Sequence, residues 1–214
     1  MFFNAVDKQL LLLIDQLSAC AEVADRFYLA GGTGLALQLG HRTSIDIDLF
    51  SEHSFSAERY ATLLIGLGGH VIQSETGTVH GVASRVKVSF LEYPYPLLRP
   101  LQAVRGLRVA SVEDISAMKV VAISQRGDKK DFFDLYEILK TISSHDLKTL
   151  FLEKFGESRI NCYHILKSLF YFDDAEQQPD PLSLNGTSWE QVKGYFIEHE
   201  KELMRELVCS SECT

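Results

Sequence analysis

Residues 29–50 read Leu29-Ala30-Gly31-Gly32-Thr33-Gly34-Leu35-Ala36-Leu37-Gln38-Leu39-Gly40-His41-Arg42-Thr43-Ser44-Ile45-Asp46-Ile47-Asp48-Leu49-Phe50. Ile45, Ile47 and Leu49 alternate with Asp46 and Asp48. A strand has a side-chain period of two, so this pattern predicts a strand with both acids on one face. Two adjacent carboxylates repel unless a positive group sits between them. A divalent cation such as Mg²⁺ takes one or two carboxylates, some water and substrate phosphates. The Gly31-Gly32 pair upstream lets backbone N–H groups approach a phosphate closely. A short strand at 27–30, the glycine turn and a helix at 33–40 follow in the order that lets a helix N-terminus face an anion. The combination points to metal-dependent chemistry on a nucleoside triphosphate. Arg42, just before the acids, is placed to brace Asp46 or a phosphate. His41 reads as a hydrogen-bonded surface group.

Outward from this stretch, apolar spacing predicts a helix over 5–24, a helix over 56–66, and antiparallel strands at 69–74, 79–83 and 84–91. Tyr93-Pro94-Tyr95-Pro96 is expected to end the sheet, because proline cannot donate to a ladder. From residue 111 the pattern is helical, with helices expected at 111–124, 130–141, 147–155, 161–170 and 189–208 and a loop over 172–188. The expected fold class is α+β: a mixed sheet flanked by helices over residues 1–110, then a helical region over 111–214 that completes the active-site cleft.

The chain has 214 residues, 46% of them hydrophobic, enough for a proper core. No apolar run reaches the roughly 18 residues of a membrane span, so no membrane partner and a cytoplasmic location are expected. The formal net charge of −8 argues against a general nucleic-acid binder. Local basic clusters remain: Arg99, Arg105 and Arg108, and Arg126, Lys129 and Lys130. Cys20, Cys162, Cys209 and Cys213 have no zinc spacing and read as free thiols.

In the helical half, Lys119 falls on an otherwise apolar face. It either snorkels to water or points into a polar cleft. Asp131 and Asp134 share one helix face, either as early acids that favour the helix dipole or as site residues.

The run Leu29 to Phe50 and the later run Ser111 to Leu139, SVEDISAMKVVAISQRGDKKDFFDLYEIL, resemble the AbiEii/AbiGii-type nucleotidyltransferase toxin family of the DNA polymerase β-like superfamily. The resemblance implies a nucleotidyltransferase-like fold and transfer of a nucleoside monophosphate from an NTP to an acceptor hydroxyl, with Mg²⁺ or Mn²⁺ as cofactor. By the same resemblance Gly31, Gly32 and Thr33 hold the triphosphate, and Asp46 and Asp48 bind metal. Lys119 contacts phosphates, Asp131 acts as general base, and Arg126 and Lys130 assist with phosphates. It also implies an RNA acceptor, with tRNA foremost, and a cognate antitoxin that need not bind directly. Many superfamily members carry a third acid on a later strand. Here that strand reads Val88-Ser89-Phe90, with Ser89 in the acid's place and Glu92 farther on. Two alternatives stay open: transfer to a small molecule such as an antibiotic, and a non-catalytic nucleotide-binding descendant.

Overall fold

The alternating strands form one mixed sheet. In a computed structural model of the chain, which describes residues 1–156 and 162–207, two compact units divide at residue 111. Of the cysteines, Cys20 is a free, half-buried thiol. The Cys162 side chain, Cys209 and Cys213 lie outside the described residues.

The first unit contains α1 (Lys8–Ser18), α2 (Ala21–Arg26), β1 (Tyr28–Leu29), α3 (Gly31–Leu39), β2 (Asp46–Ser51) and α4 (Ala57–Gly66). There follow β3 (His70–Glu75), β4 (Thr78–Ala83), β5 (Val86–Glu92), β6 (Gln102–Val104) and β7 (Leu107–Val109). The strand order is β3-β4-β5-β2-β1-β7-β6. β2 runs parallel to β5 and β1 parallel to β7, and the other neighbours are antiparallel.

The alternation is expressed from Asp46 onward, whereas Ile45, expected to face the core, lies just before β2 and is 68% exposed. Ile47 and Leu49 are completely buried, while Asp46, Asp48 and Phe50 are half-buried. Ile47 and Leu49 join Val79, Val88 and Phe90 from the sheet, Leu10, Leu13, Ile14 and Leu17 from α1, and Tyr60 and Leu64 from α4. Each such aliphatic side chain stabilises the fold by about 1.5–3 kcal/mol relative to exposure. One sheet face is therefore pinned to the core. A one-residue slip of β2 would exchange its isoleucine and leucine for its acids, so the register of the acid face is fixed by the opposite face.

Three further expectations need correction here. The helix predicted over 5–24 is two helices, because Cys20 adopts an extended conformation (φ −84°, ψ 107°) and starts α2. The sheet does not end at the prolines. Residues 102–109 return as the β6–β7 hairpin, whose turn residues Arg105 and Gly106 both have positive φ (49° and 82°). Such a turn matches strand twist but favours Asn-Gly or Asp-Gly, so Arg-Gly gives little sequence signal. The Arg105 guanidinium is held by Asp15 of α1, Nε donating to Oδ1 at 2.7 Å. Third, His41 is not a surface group, being only 3% exposed.

The second unit comprises α5 (Val112–Arg126), α6 (Lys129–Leu139), α7 (Ser144–Phe155), α8 (Cys162–Ser168), α9 (Asp173–Glu176), α10 (Trp189–Glu198) and α11 (Glu200–Leu207). The short α9 lies inside the stretch expected to be loop, and the last predicted helix breaks at His199 into α10 and α11. Ser188 caps α10 reciprocally with Gln191. Phe132 of α6 packs its ring against Phe172, Trp189 and Phe196 at centroid distances of 5.3, 5.9 and 5.7 Å. α5 and α7 are joined by an ion pair in which Lys154 Nζ lies 2.8 Å from Asp114 Oδ1, both side chains fully buried.

Candidate active site

The glycine turn sits directly against the acid strand. Gly31 begins α3 with φ +61°, a conformation that costs other residues strain. A Cβ built on Gly31 would stand 2.8 Å from Asp48 Oδ2. Glycine is needed at this position twice over, for its backbone angle and for the space its missing side chain leaves the carboxylate. Gly32 has the same relation to Arg42, whose guanidinium Nη2 occupies the place a Gly32 side chain would take. Arg42 is only 3% exposed, and its Nη1 donates to the Thr43 carbonyl at 2.8 Å. A guanidinium thus lies beneath the turn, close to its backbone.

Thr33 faces inward. Its hydroxyl bonds the Asp46 carbonyl oxygen and shares a hydrogen bond with Ser44 Oγ at 2.8 Å. Ala30 N–H donates to the Asp48 carbonyl at 3.1 Å. These bonds fix the distance between the turn and both acids, so Thr33 positions Asp46 from behind.

Along the same sheet face, β2 pairs with β5 and β5 with β4. Asp46 is opposite Lys87, Asp48 is opposite Ser89, and Ser89 is opposite His80. His80 Nδ1 and Ser89 Oγ are 3.0 Å apart. Glu92 is opposite Ser51 and out of phase with Asp48, so it does not supply an acid to this face. The sequence marked Ser89 as a departure. It gave no signal for His80, whose place beside Ser89 arises from hairpin register.

Two carboxylates on one face, with a glycine approach at one of them, form an oxygen donor set suited to a hard cation such as Mg²⁺. Among the described residues, no group of three or more His, Cys, Asp and Glu side chains is arranged to hold a metal by itself. The donor set therefore fits a cation completed by water and substrate phosphates rather than an all-protein cage.

In the second unit, Lys119, Asp131 and Asp134 form a buried network that the half-exposed Arg126 closes from the solvent side. Lys119 Nζ donates to Asp131 Oδ1 at 2.7 Å and pairs with Asp134 as well. Arg126 Nε and Nη2 bond the two Asp131 oxygens at 2.7 and 3.0 Å. Lys119 is 3% exposed and both aspartates are fully buried. Lys119 thus neither snorkels nor stands alone in a cleft, and the aspartates are more than early-helix charges. Burial pushes the Asp131 carboxyl up, but Lys119 and then Arg126 outweigh it and hold its pKa below the ordinary carboxylate range. Lys130 is half-exposed in α6, with Nζ 4.0 Å from Asp128 Oδ2. The half-exposed Arg126 guanidinium also borders a groove of about 490 Å³ within this unit, lined in part by His164, Lys167, Phe170, Tyr171 and Asp174.

The sequence profile of the nucleotidyl transferase AbiEii toxin, type IV toxin–antitoxin system, matches residues 13–203. The chain belongs to the AbiEii nucleotidyltransferase toxin family. An uncharacterized protein of Aquifex aeolicus (strain VF5) is 36% identical over 196 residues, covering 85% of this chain and 90% of that protein. Among solved structures, the nucleotidyltransferase toxin MenT4 of Mycobacterium tuberculosis H37Rv superposes with TM-score 0.57 at 16% identity, over 92% of this chain and 90% of its own. JHP933 of Helicobacter pylori gives 0.55 at 17%, over 94% of each chain. The antibiotic-resistance factor ANT(2″)-Ia gives 0.52 at 17%, over 68% of this chain and 90% of its own. The shared fold is that of nucleotidyltransferases, and the AbiEii chain described here is an enzyme of that type. No described helix is long and apolar enough to cross a membrane.

Proposed function

We propose that this chain is a Mg²⁺-dependent enzyme of the cytoplasm that moves a nucleoside monophosphate from an NTP to a hydroxyl of RNA, with tRNA as the acceptor. In this reading it is the toxin of a toxin–antitoxin pair whose antitoxin need not touch it. The observation that carries the reading is the single face shared by Asp46 and Asp48, with Gly31 making room at Asp48.

The roles follow from that face. Asp46 and Asp48 would hold Mg²⁺ (Mn²⁺ serves the same donors), which when bound neutralises charge on the triphosphate. The Gly31-Gly32 backbone would approach the phosphates, with the Arg42 guanidinium beneath adding positive potential. Thr33 keeps Asp46 in place. Arg126 and Lys130, which reach solvent, are the cations of the second unit assigned to phosphate oxygens, which positioning and charge stabilise in such transfers. Lys119, paired with Asp131 and Asp134 in the interior, adds positive potential behind them.

Asp131 takes a different role from the base first assigned to it. Both its oxygens accept hydrogen bonds from Lys119 and Arg126, it has no exposed surface, and its pKa is lowered. A carboxylate so held is a weak proton acceptor. Its assignment is to orient the two cations.

The groove beside Arg126 favours RNA over a small cationic acceptor. It combines Arg126, Lys167 and His164 with the rings of Phe170 and Tyr171, the mixture of positive charge and stacking surface that single-stranded nucleic acid uses. The test offers the enzyme and Mg²⁺, with each NTP labelled at the α-phosphorus, a choice of total tRNA or an aminoglycoside. Label on tRNA alone supports the reading. Label on the aminoglycoside alone transfers the chain to the small-molecule alternative, and label on neither leaves the non-catalytic nucleotide-binding alternative.

A further inference from the structure

Nucleotidyl transfer requires that the attacking hydroxyl lose a proton. Asp46 and Asp48 are committed to the cation in the proposed function, and Asp131 is held by Lys119 and Arg126. Among the described residues, the acid face carries a further proton acceptor two strands from Asp48. Ser89 is the direct β5 neighbour of Asp48, and His80 is the direct β4 neighbour of Ser89. All three side chains are half-buried on the same face. The strand spacing puts the His80 backbone about 10 Å from that of Asp48, with Ser89 midway. His80 Nδ1 is 3.0 Å from Ser89 Oγ, within the distance at which a histidine serves a hydroxyl as base.

We propose that Ser89 and His80 form a proton relay for the acceptor hydroxyl, an inference that rests on the nucleotidyltransferase reading above. In the tautomer protonated at Nε2, His80 Nδ1 accepts the Ser89 hydroxyl proton while Ser89 Oγ takes the proton of the acceptor hydroxyl. The acceptor oxygen bonds to the α-phosphorus, the bond from phosphorus to the β-phosphate oxygen breaks, and pyrophosphate leaves with that electron pair. The imidazolium, half-exposed, returns its proton to water. Ser89 touches the reacting hydroxyl, and His80 acts through it.

The charged groups that share this face are known from the register. β3 contributes Glu75 opposite Thr78 and His70 opposite Val82, with neutral Gln73 opposite His80 itself. β5 contributes Lys87 opposite Val82, and β2 contributes Asp46 and Asp48. On the far side of β2 the same face carries Tyr28 of β1, opposite Phe50, and Arg108 of β7, opposite Tyr28. Ser89 alone of these neighbours is hydrogen-bonded to the His80 ring among the bonds described.

The test uses the full-length protein with Mg²⁺, total tRNA and the NTP that the wild type transfers. His80→Gln is expected to lower kcat about a hundredfold, to remove the acidic limb of the pH–rate profile, and to leave NTP affinity, measured by calorimetry, within about twofold of wild type. Ser89→Ala should behave alike and should also shift the His80 ring resonances in NMR spectra. Ser89→Asp placed in the His80→Gln background supplies a carboxylate at the same register and should restore at least a tenth of the activity. An unchanged rate and pH profile in His80→Gln overturns the relay, as does failure of Ser89→Asp to rescue a folded double variant. Absence of transfer to tRNA by the wild type overturns the proposed RNA-transfer reading and the relay that rests on it, whereas wild-type transfer that His80→Gln retains overturns the relay alone.

Discussion

Asp48 Oδ2 lies 2.8 Å from the point where a Gly31 side chain would begin. The closeness ties a backbone choice on α3 to a carboxylate on β2. Gly31→Ala forces a left-handed conformation that costs about 1–2 kcal/mol and drives a methyl into the carboxylate. The variant should melt a few degrees lower and lose at least tenfold in nucleotidyl transfer. Thermal unfolding and a label-transfer assay on the same preparation check both effects. A variant with full activity would detach Gly31 from the site.

Thr33 separates two readings of the turn. Its hydroxyl holds the Asp46 carbonyl and Ser44 Oγ, so Thr33→Val leaves buried polar atoms without that partner and should cost about 1–3 kcal/mol in stability. KM for the NTP should change less than threefold. Direct phosphate binding by Thr33 would give the reverse: a raised KM with stability unchanged.

Lys154 and Asp114 test the core of the second unit. Removing one partner of a fully buried ion pair takes that counter-charge away from the other in a low-dielectric interior. Lys154→Met should therefore destabilise the protein by about 3–5 kcal/mol. Changing both, Lys154→Met with Asp114→Leu, should recover most of that loss. Denaturant unfolding of the three proteins gives the comparison, and equal losses in single and double variants would refute it.

Asp131 makes a prediction in pH. Its folded-state pKa is depressed, so the stability it contributes is fully present above the unfolded Asp value of about 3.9 and is lost as pH falls through the lower folded value. Asp131→Asn should be less stable than wild type at neutral pH and converge toward it in acid. A stability gap that does not narrow in acid would contradict the assignment of an ionised, cation-held carboxylate. Because Asp131 orients Lys119 and Arg126, the same variant should raise KM for the NTP.

Much of this was legible in the sequence because it is local. The alternation Asp46 to Leu49 gives the acid face, and the glycine pair gives the turn, with no knowledge of the rest of the chain, although Ile45, read as the first core residue of that strand, is exposed. What escaped depends on residues far apart in sequence. His41 is buried by tertiary packing that its loop position does not announce. His80 meets Ser89 through hairpin register, and Lys154 meets Asp114 across 40 positions. The β6–β7 hairpin has three-residue strands and an Arg-Gly turn steadied by Asp15, a partner 90 positions away. Short elements of this kind carry too little periodicity to be read.

The central claim is that the face of Asp46 and Asp48 performs nucleotidyl transfer. The most direct measurement incubates wild type and the Asp46→Ala/Asp48→Ala double variant with Mg²⁺, total tRNA and each NTP labelled at the α-phosphorus, after confirming that both proteins melt alike. The account predicts label on tRNA from at least one NTP with wild type and none above background with the double variant. Equal labelling by the two proteins would contradict it.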